Sequence, residues 1–310
     1  MTEASEHPRG PEPSREGRGA PSRRPDGGGF DPAVEEMFRA NRANWDARVP
    51  VHVASRFYGV GEAADPASLA DRWFAPYEWE DLGDPAGLDV LHLQCHLGTE
   101  TLAFAARGAR TTGLDLSGAS VAAARDLAAR SGLDAEYVRG NVYDAAEVLG
   151  GRRFDLVYTG KGALCYLPDL HRWARTVAGL LRPGGRLYVV EFHPLLVALG
   201  PTPDEDEGSG LLLRHDYLGG RGAVHHEAAH TYTDGPPIEG AADSYEWPHG
   251  LGEVVDALAG AGLVITRLRE SDELPWPRWP RMVRTESGWW RLPDSEPRIP
   301  LLFALLAARP

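Results

Sequence analysis

The stretch LDVLHLQCHLGTETLAFAARGARTTGLDLS, residues 88–117, decides the fold. LDVLHL is a short apolar run, the pattern of a strand buried on both faces. GTETLAFAARG has helical composition, and RTTGLDL is a second strand. A strand, a helix and a strand in about thirty residues make a parallel βαβ unit. The same rhythm continues through helix SGASVAAARDLAARSG, strand AEYVRG, a short helix near Asp144–Leu149 and strand FDLVYTG. Helix LHRWARTVAGLL and strand RLYVVEFHP complete five strands. Such alternation predicts a parallel sheet with helices on both faces.

Around this core lie four further regions. Residues 1–30 are rich in Gly, Pro and charge with almost nothing apolar, and are expected to be a disordered tail. Residues 31–84 read as an N-terminal helical cap. PAVEEMFRANRANWD has helical spacing, RVPVHVASRFYGV is too apolar for a linker, and a second helix is expected around Ala67–Trp79. Residues 200–247 interrupt the rhythm as a β insert: an acidic loop, PTPDEDEGSG, precedes the strand-like LLLRHDYLGG and AVHHEAAHTYTDG. Helix GLGEVVDALAGAG, strand LVITRLRE, a Trp- and Pro-rich stretch and the apolar IPLLFALLAA close the chain.

The 310 residues carry a net charge of −13. An acidic chain argues against nucleic acid as the main partner, because phosphate binding needs a basic face. The two cysteines, Cys95 and Cys165, lie in apolar stretches, which fits a reducing, cytoplasmic setting rather than a disulfide framework. No apolar run approaches the roughly 20 residues needed to span a bilayer, and the first residues lack a signal-peptide core. The oligomeric state is left as monomer or homodimer.

Ligands of open α/β sheets sit beyond the carboxyl ends of the strands. At the end of the first strand, Gln94, Cys95 and His96 fill a turn that retains only Gly98. Asp115 ends the second strand, 21 residues after Gln94, which suits a carboxylate accepting ribose hydroxyls. The competing reading is a helix N-cap, a role that Ser117 could share, and the spacing favours the ribose. Asn141 and Asp144 come after the third strand, where an amide or carboxylate can meet an exocyclic amino group or simply form a turn. Gly160 belongs to the glycine-rich TGKGALCYLP, which lacks the phosphate-loop pattern.

Together VLHLQCHLG, GLDLS, RGNVYDA, FDLVYTGKGALCYLPD and LLRPGGRLYVVEFHP resemble the successive motifs of class I S-adenosylmethionine-dependent methyltransferases. The resemblance covers roughly residues 85–310. It implies a Rossmann-like, doubly wound, seven-stranded sheet with an antiparallel last strand. It also implies S-adenosyl-L-methionine as cofactor, and methyl transfer to an O, N or C atom of a small molecule in an enclosed pocket. The first loop departs from the family pattern of an acid followed by three alternating glycines. His92 takes the acidic position, Gln94 and His96 take two glycine positions, and Gly98 alone is kept. The sequence LQCHLG is similar to a variant found in a subgroup of small-molecule members. The resemblance assigns the cofactor to Gln94, Cys95, His96, Gly98, Asp115, Leu116, Asn141, Val142 and Gly160, with Tyr58 as lid.

His193 and His249 are the candidate general bases. Glu191 is read as orienting His193 or binding substrate. Lys161 either meets an acidic substrate group or faces solvent. Trp45, Tyr232 and Trp247 belong to an aromatic set suited to a planar or apolar substrate. Two metal readings compete. His92, Cys95 and His96 cannot easily converge on a strand. HEAAH, His226–His230, matches a zinc-hydrolase pattern that needs a helix, and its glycine-flanked context is strand-like. A protein that binds S-adenosylmethionine without methylating is the third alternative.

Overall fold

The computed structural model describes residues 29–61, 70–200 and 211–310. The expected tail lies almost wholly outside them, as does the acidic loop 201–210. Seven strands form one sheet. They are β1 (Asp89–Leu93), β2 (Arg110–Asp115), β3 (Ala135–Arg139), β4 (Phe154–Thr159), β5 (Leu181–Phe192), β8 (Val264–Ser271) and β11 (Leu302–Ala308). Their order across the sheet is β3-β2-β1-β4-β5-β11-β8. The first five pair in parallel, and β11 runs antiparallel between β5 and β8.

The central strands of the sheet are buried on both faces. Leu91, Leu93, Val157, Leu187 and Val189 pack in one cluster with α6 (Leu170–Leu180), α8 (Leu251–Gly260) and the single turn α5 (Ala145–Val148). Val90, Leu156, Tyr158, Tyr188 and Val190 pack in another with α3 (Thr99–Ala106) and α4 (Gly118–Ser131). This two-sided burial explains why the strands read as continuous apolar runs. The strand order reverses at β1 and β4, which places a crevice at their carboxyl ends.

The cap begins with α1 (Pro32–Ala54), a single helix that carries Pro50 in its interior. It therefore absorbs the apolar RVPVHVA stretch, which by composition reads as a segment of its own. Asp31 caps it by accepting the Ala33 N–H at 2.8 Å. Its buried stripe is polar as well as apolar: Asn41, Asn44, Arg48 and His52 lie with Val34, Phe38, Val49 and Val51. Asn41 exchanges two hydrogen bonds with the backbone of Tyr245, at 2.8 and 2.7 Å. Asn44 donates to Ala241 O at 2.9 Å. Of the second cap helix expected around Ala67–Trp79, residues 67–69 lie outside the described residues; from Ala70 onward the chain forms a 3-10 turn at Ala70–Trp73 and α2 (Pro76–Leu82).

The insert holds a two-stranded ribbon, β6 (Val224–Glu227) with β7 (Asp243–Glu246). A second small ribbon, β9 (Val283–Arg284) with β10 (Trp290–Arg291), lies in the Trp- and Pro-rich segment. LLLRHDYLGG was expected to be a strand; it is irregular, with Leu212, Leu213 and Leu218 exposed. Two of its backbone N–H groups, those of Arg214 and His215, go instead to Ala198 O at the end of a helix, at 2.8 and 3.0 Å. HEAAH is not a helix: His226 and Glu227 end β6, and His230 lies in a bend. The side chains that a zinc-hydrolase motif stacks one turn apart are thus separated. Among the described residues, no helix is long and apolar enough to cross a membrane.

Candidate active site

The loop after β1 solves a steric problem. Gln94, His96 and Gly98 all have positive φ, at 56°, 48° and 73°. Left-handed backbone costs a side-chain-bearing residue roughly 1–2 kcal/mol. Each of the two non-glycine residues has side-chain bonds that offset it. Gln94 Nε2 donates to Ala163 O at 2.9 Å. His96 Nδ1 lies 3.0 Å from Ser120 Oγ, and its Nε2 lies 2.8 Å from His52 Nδ1. His52 Nε2 in turn meets Thr231 Oγ1 at 2.7 Å. Four residues from the cap, first loop, α4 and insert thus form one hydrogen-bonded row. Burial lowers the His52 pKa to about 3, with Arg48 adding to the effect, and pushes His96 well below the usual imidazole range. Both rings are neutral at pH 7.

Gly98 is required by space as well as by φ. A Cβ there would fall 2.5 Å from the Tyr137 ring. Asp115 ties the turn down, accepting from His96 N and Ser117 N at 2.8 Å each. Its pKa rises to about 6, chiefly through burial, against those two hydrogen bonds. Ser117 caps α4, donates to Asp46 of α1 at 2.6 Å, and accepts from Ser120 N at 2.9 Å.

A cavity of about 450 Å³ opens at these strand ends. That is ample for a small-molecule ligand. It is lined by Gln94, Cys95, His96, Asp115 and Leu116 from the first two loops, and by Asn141 and Val142 from the third. Gly160 and Lys161 line it from the fourth, Trp45 and Tyr58 from the cap, and Tyr232, Trp247 and His249 from the insert and the segment beyond it. Glu191 reaches it from β5. Among the candidate cofactor and catalytic residues, Gly98 and His193 do not line it, and neither does Asp144.

Several of these residues are engaged otherwise than expected. The Glu191 carboxylate accepts the backbone N–H groups of Gly162, Ala163, Leu164 and Phe192, at 2.5–2.9 Å. It shapes the fourth loop rather than orienting His193. His193 caps α7 (Pro194–Leu199), where Nδ1 accepts from Leu195 N at 3.1 Å and Nε2 lies 2.9 Å from Glu270. Lys161 neither faces solvent nor stands free. Its ammonium pairs with the buried Glu78 at 3.0 Å and donates to Trp73 O at 2.8 Å, tying the cap to the fourth loop. His249 points Nε2 at Leu167 O, 2.7 Å away, and Nδ1 at Glu253, 3.1 Å away. Tyr58 and Tyr232 touch through their hydroxyls at 2.5 Å. Trp45 packs edge-on against His96 and Tyr166. His92 is buried, bonded to Thr101 at 2.9 Å. Among the described residues, no three His, Cys, Asp or Glu side chains could hold a metal ion.

Sequence reasoning passed over Arg48, His52, Glu100 and Arg278. The signal for the first two was available: Trp45, Arg48 and His52 recur at spacings of three and four along α1, so they share one face. Glu100 lines the cavity from the first turn of α3. Arg278 comes from the Trp- and Pro-rich segment, which has no periodicity to read.

Residues 91–187 match a family model described as a methyltransferase domain. The match supports a class I S-adenosylmethionine-dependent methyltransferase domain over these residues. Among curated relatives it is similar to ubiquinone biosynthesis O-methyltransferases. It is 31% identical to that of Xanthomonas axonopodis pv. citri over 44% of this chain and 63% of the relative. It is 29% identical to that of Methylobacterium sp. over 48% and 58%. The chain therefore spans less than two thirds of the length of these relatives. Among solved structures it resembles an S-adenosylmethionine-dependent methyltransferase of Mesorhizobium loti, with a TM-score of 0.52, 23% identity, and coverage of 76% of this chain and 96% of the other. A Clostridium acetobutylicum methyltransferase gives 0.52 and 14%, covering 79% and 92%. These likenesses concern the fold.

The family's cofactor is S-adenosylmethionine, and the residues present fit it. Gln94 Oε1 is buried in the cavity wall without a hydrogen-bond partner. A buried acceptor left open is costly unless a donor arrives from a ligand. Asp115 presents a carboxylate at the end of β2, with one lone pair on each oxygen beyond those used by His96 and Ser117. Asn141 and Val142 stand one strand further on.

Proposed function

We propose that the chain transfers a methyl group from S-adenosylmethionine to an O, N or C atom of a small molecule. The observation that carries this is the convergence of Asp115, Asn141 and the open Gln94 acceptor on one cavity at the switch point of the sheet. S-adenosylmethionine, when bound, would supply an electrophilic methyl on a sulfonium leaving group, and the residues around it would hold that methyl in line with the acceptor atom. The protein supplies orientation and water exclusion.

Asp115 is assigned to the ribose, Asn141 and Val142 to the adenine, and Gln94 and Glu100 to the cofactor ammonium. Glu100 offers from α3 the carboxylate that His92 withholds from the strand; both would lie 3.5 Å from a Cβ built at Gly160. Arg48 is assigned to the cofactor carboxylate. Its Nε is buried without a partner, and it lines the cavity near His96. His249, with Glu253 3.1 Å from its Nδ1, is the assigned base. His193 is assigned to holding α7.

The enclosing cap and insert, and the net charge of −13, favour a small substrate over nucleic acid. A cytoplasmic location fits the two free cysteines. Titration of the full chain with S-adenosylhomocysteine tests this reading. Saturation at about 100 times Kd adds roughly 2.7 kcal/mol of stability. Absence of binding at millimolar ligand would reject the proposal.

A further inference from the structure

The cavity wall carries two arginines whose Nε atoms are buried and unpartnered, Arg48 and Arg278. Neither guanidinium makes a hydrogen bond or ion pair with another described residue; Arg48 only lies over the Trp45 ring, 5.0 Å from its centroid. The other cation of the wall, Lys161, is already neutralised by Glu78. A buried guanidinium nitrogen left open is expensive, and the planar fork suits an oxyacid held through two parallel bonds. S-adenosylmethionine brings one carboxylate, which the proposed function gives to Arg48. One guanidinium remains.

Arg278 stands in a part of the wall with a different character. Trp276, two residues before it, lines the same cavity together with Phe192 and Phe57. The Trp276 ring lies 5.3 Å from that of Phe192 and 5.7 Å from that of Phe57, both edge-on. The segment is stiffened by Pro275, Pro277 and Pro280, and the Arg278 N–H is spent on Met282 Sδ at 3.2 Å. A rigid cation beside edge-packed aromatic rings recognises a molecule with an acid end and a planar or apolar body.

We propose that Arg278 anchors an acid group of the methyl acceptor, so that the substrate is a small carboxylate or phosphate with an aromatic or apolar body. This rests on the proposed function, because the count of anions assumes that the cofactor fills one of the two places.

The test uses the full chain saturated with S-adenosylhomocysteine, titrated calorimetrically with matched pairs. These are 3-phenylpropanoate against 3-phenylpropanamide, and phenyl phosphate against phenol. At least one acid should bind tenfold or more tightly than its neutral twin, and which acid does so separates carboxylate from phosphate. In Arg278→Met that preference should collapse to within twofold, with the affinity for S-adenosylhomocysteine unchanged. Arg278→Lys, which keeps the charge and loses the fork, should fall between and covers the case in which Arg278→Met does not fold. Equal binding of acid and twin, no binding of either acid, or a preference that survives in both variants overturns the proposal. Failure of S-adenosylhomocysteine to bind the unmodified chain would instead reject the methyltransferase reading itself.

Discussion

His52 of the cap and His96 of the first loop meet with their rings perpendicular, Nδ1 of His52 lying 2.8 Å from Nε2 of His96. His52 is fully buried, and it also holds Thr231 of the insert. Three regions distant in sequence thus meet on one imidazole. His52→Ala leaves His96 Nε2 and the Thr231 hydroxyl without partners. The expected loss is about 1–3 kcal/mol in denaturant unfolding, with weaker binding of S-adenosylhomocysteine. A variant that keeps full stability and affinity would show that the row is incidental.

The same pair sets a pH dependence. His52 has a folded pKa of about 3 against 6.5 unfolded, so between these values the unfolded state binds more protons. Its contribution to stability is complete above pH 6.5 and is lost as pH falls toward 3. The slope is at most about 1.4 kcal/mol per pH unit for each such histidine. Unfolding curves at pH 7, 6, 5 and 4 should show this fall, and His52→Gln should show a shallower one.

Asp115 behaves oppositely. Its folded pKa of about 6 exceeds the unfolded 3.8, so ionising it between those values costs stability that a ligand with two hydroxyls can return. S-adenosylhomocysteine should therefore bind more tightly as pH rises from 5 to 7. Asp115→Ala should weaken it at pH 7 by roughly 10- to 100-fold, the loss of one to two hydrogen bonds to a charged group. Calorimetry across that range decides the point; a flat profile would remove the ribose assignment.

Gln94→Gly separates folding from binding. Glycine relieves the left-handed strain at φ 56° but deletes the bond to Ala163 and the open acceptor. The variant should unfold at the same denaturant concentration as the parent, within about 1 kcal/mol, yet bind S-adenosylhomocysteine more weakly. Unchanged affinity would mean that the Gln94 side chain serves the turn alone.

Gly98→Ala should be the most damaging change in the loop. Its Cβ would stand 2.5 Å from the Tyr137 ring, at a φ that alanine resists. Overpacking and strain together predict a loss of about 2–4 kcal/mol. Chemical denaturation measures it, and a loss under 1 kcal/mol would show that Tyr137 yields.

The sheet was legible because parallel strands buried on both faces must be continuously apolar, as VLHL and FDLVYT are. Strand-end residues such as Asp115 and Asn141 were legible for the same reason: a strand's end is a local property, and the crevice lies there in any sheet of this order. The alternating positive φ of Gln94, His96 and Gly98 also matches the spacing of the motif. What the chain could not show from its letters was how the side chains would pair. Lys161 found Glu78 across 83 positions, Glu191 spent its carboxylate on the loop at 162–164, and His193 turned to Glu270 outside the cavity. Arg48 and Arg278, 230 positions apart, came to one wall, each with its Nε unpartnered among the described residues. Secondary structure is set by periodicity, which is written locally. Whether a charge ends paired or open depends on which distant residues the packed core brings within about 3 Å of it, and only the tertiary structure decides that.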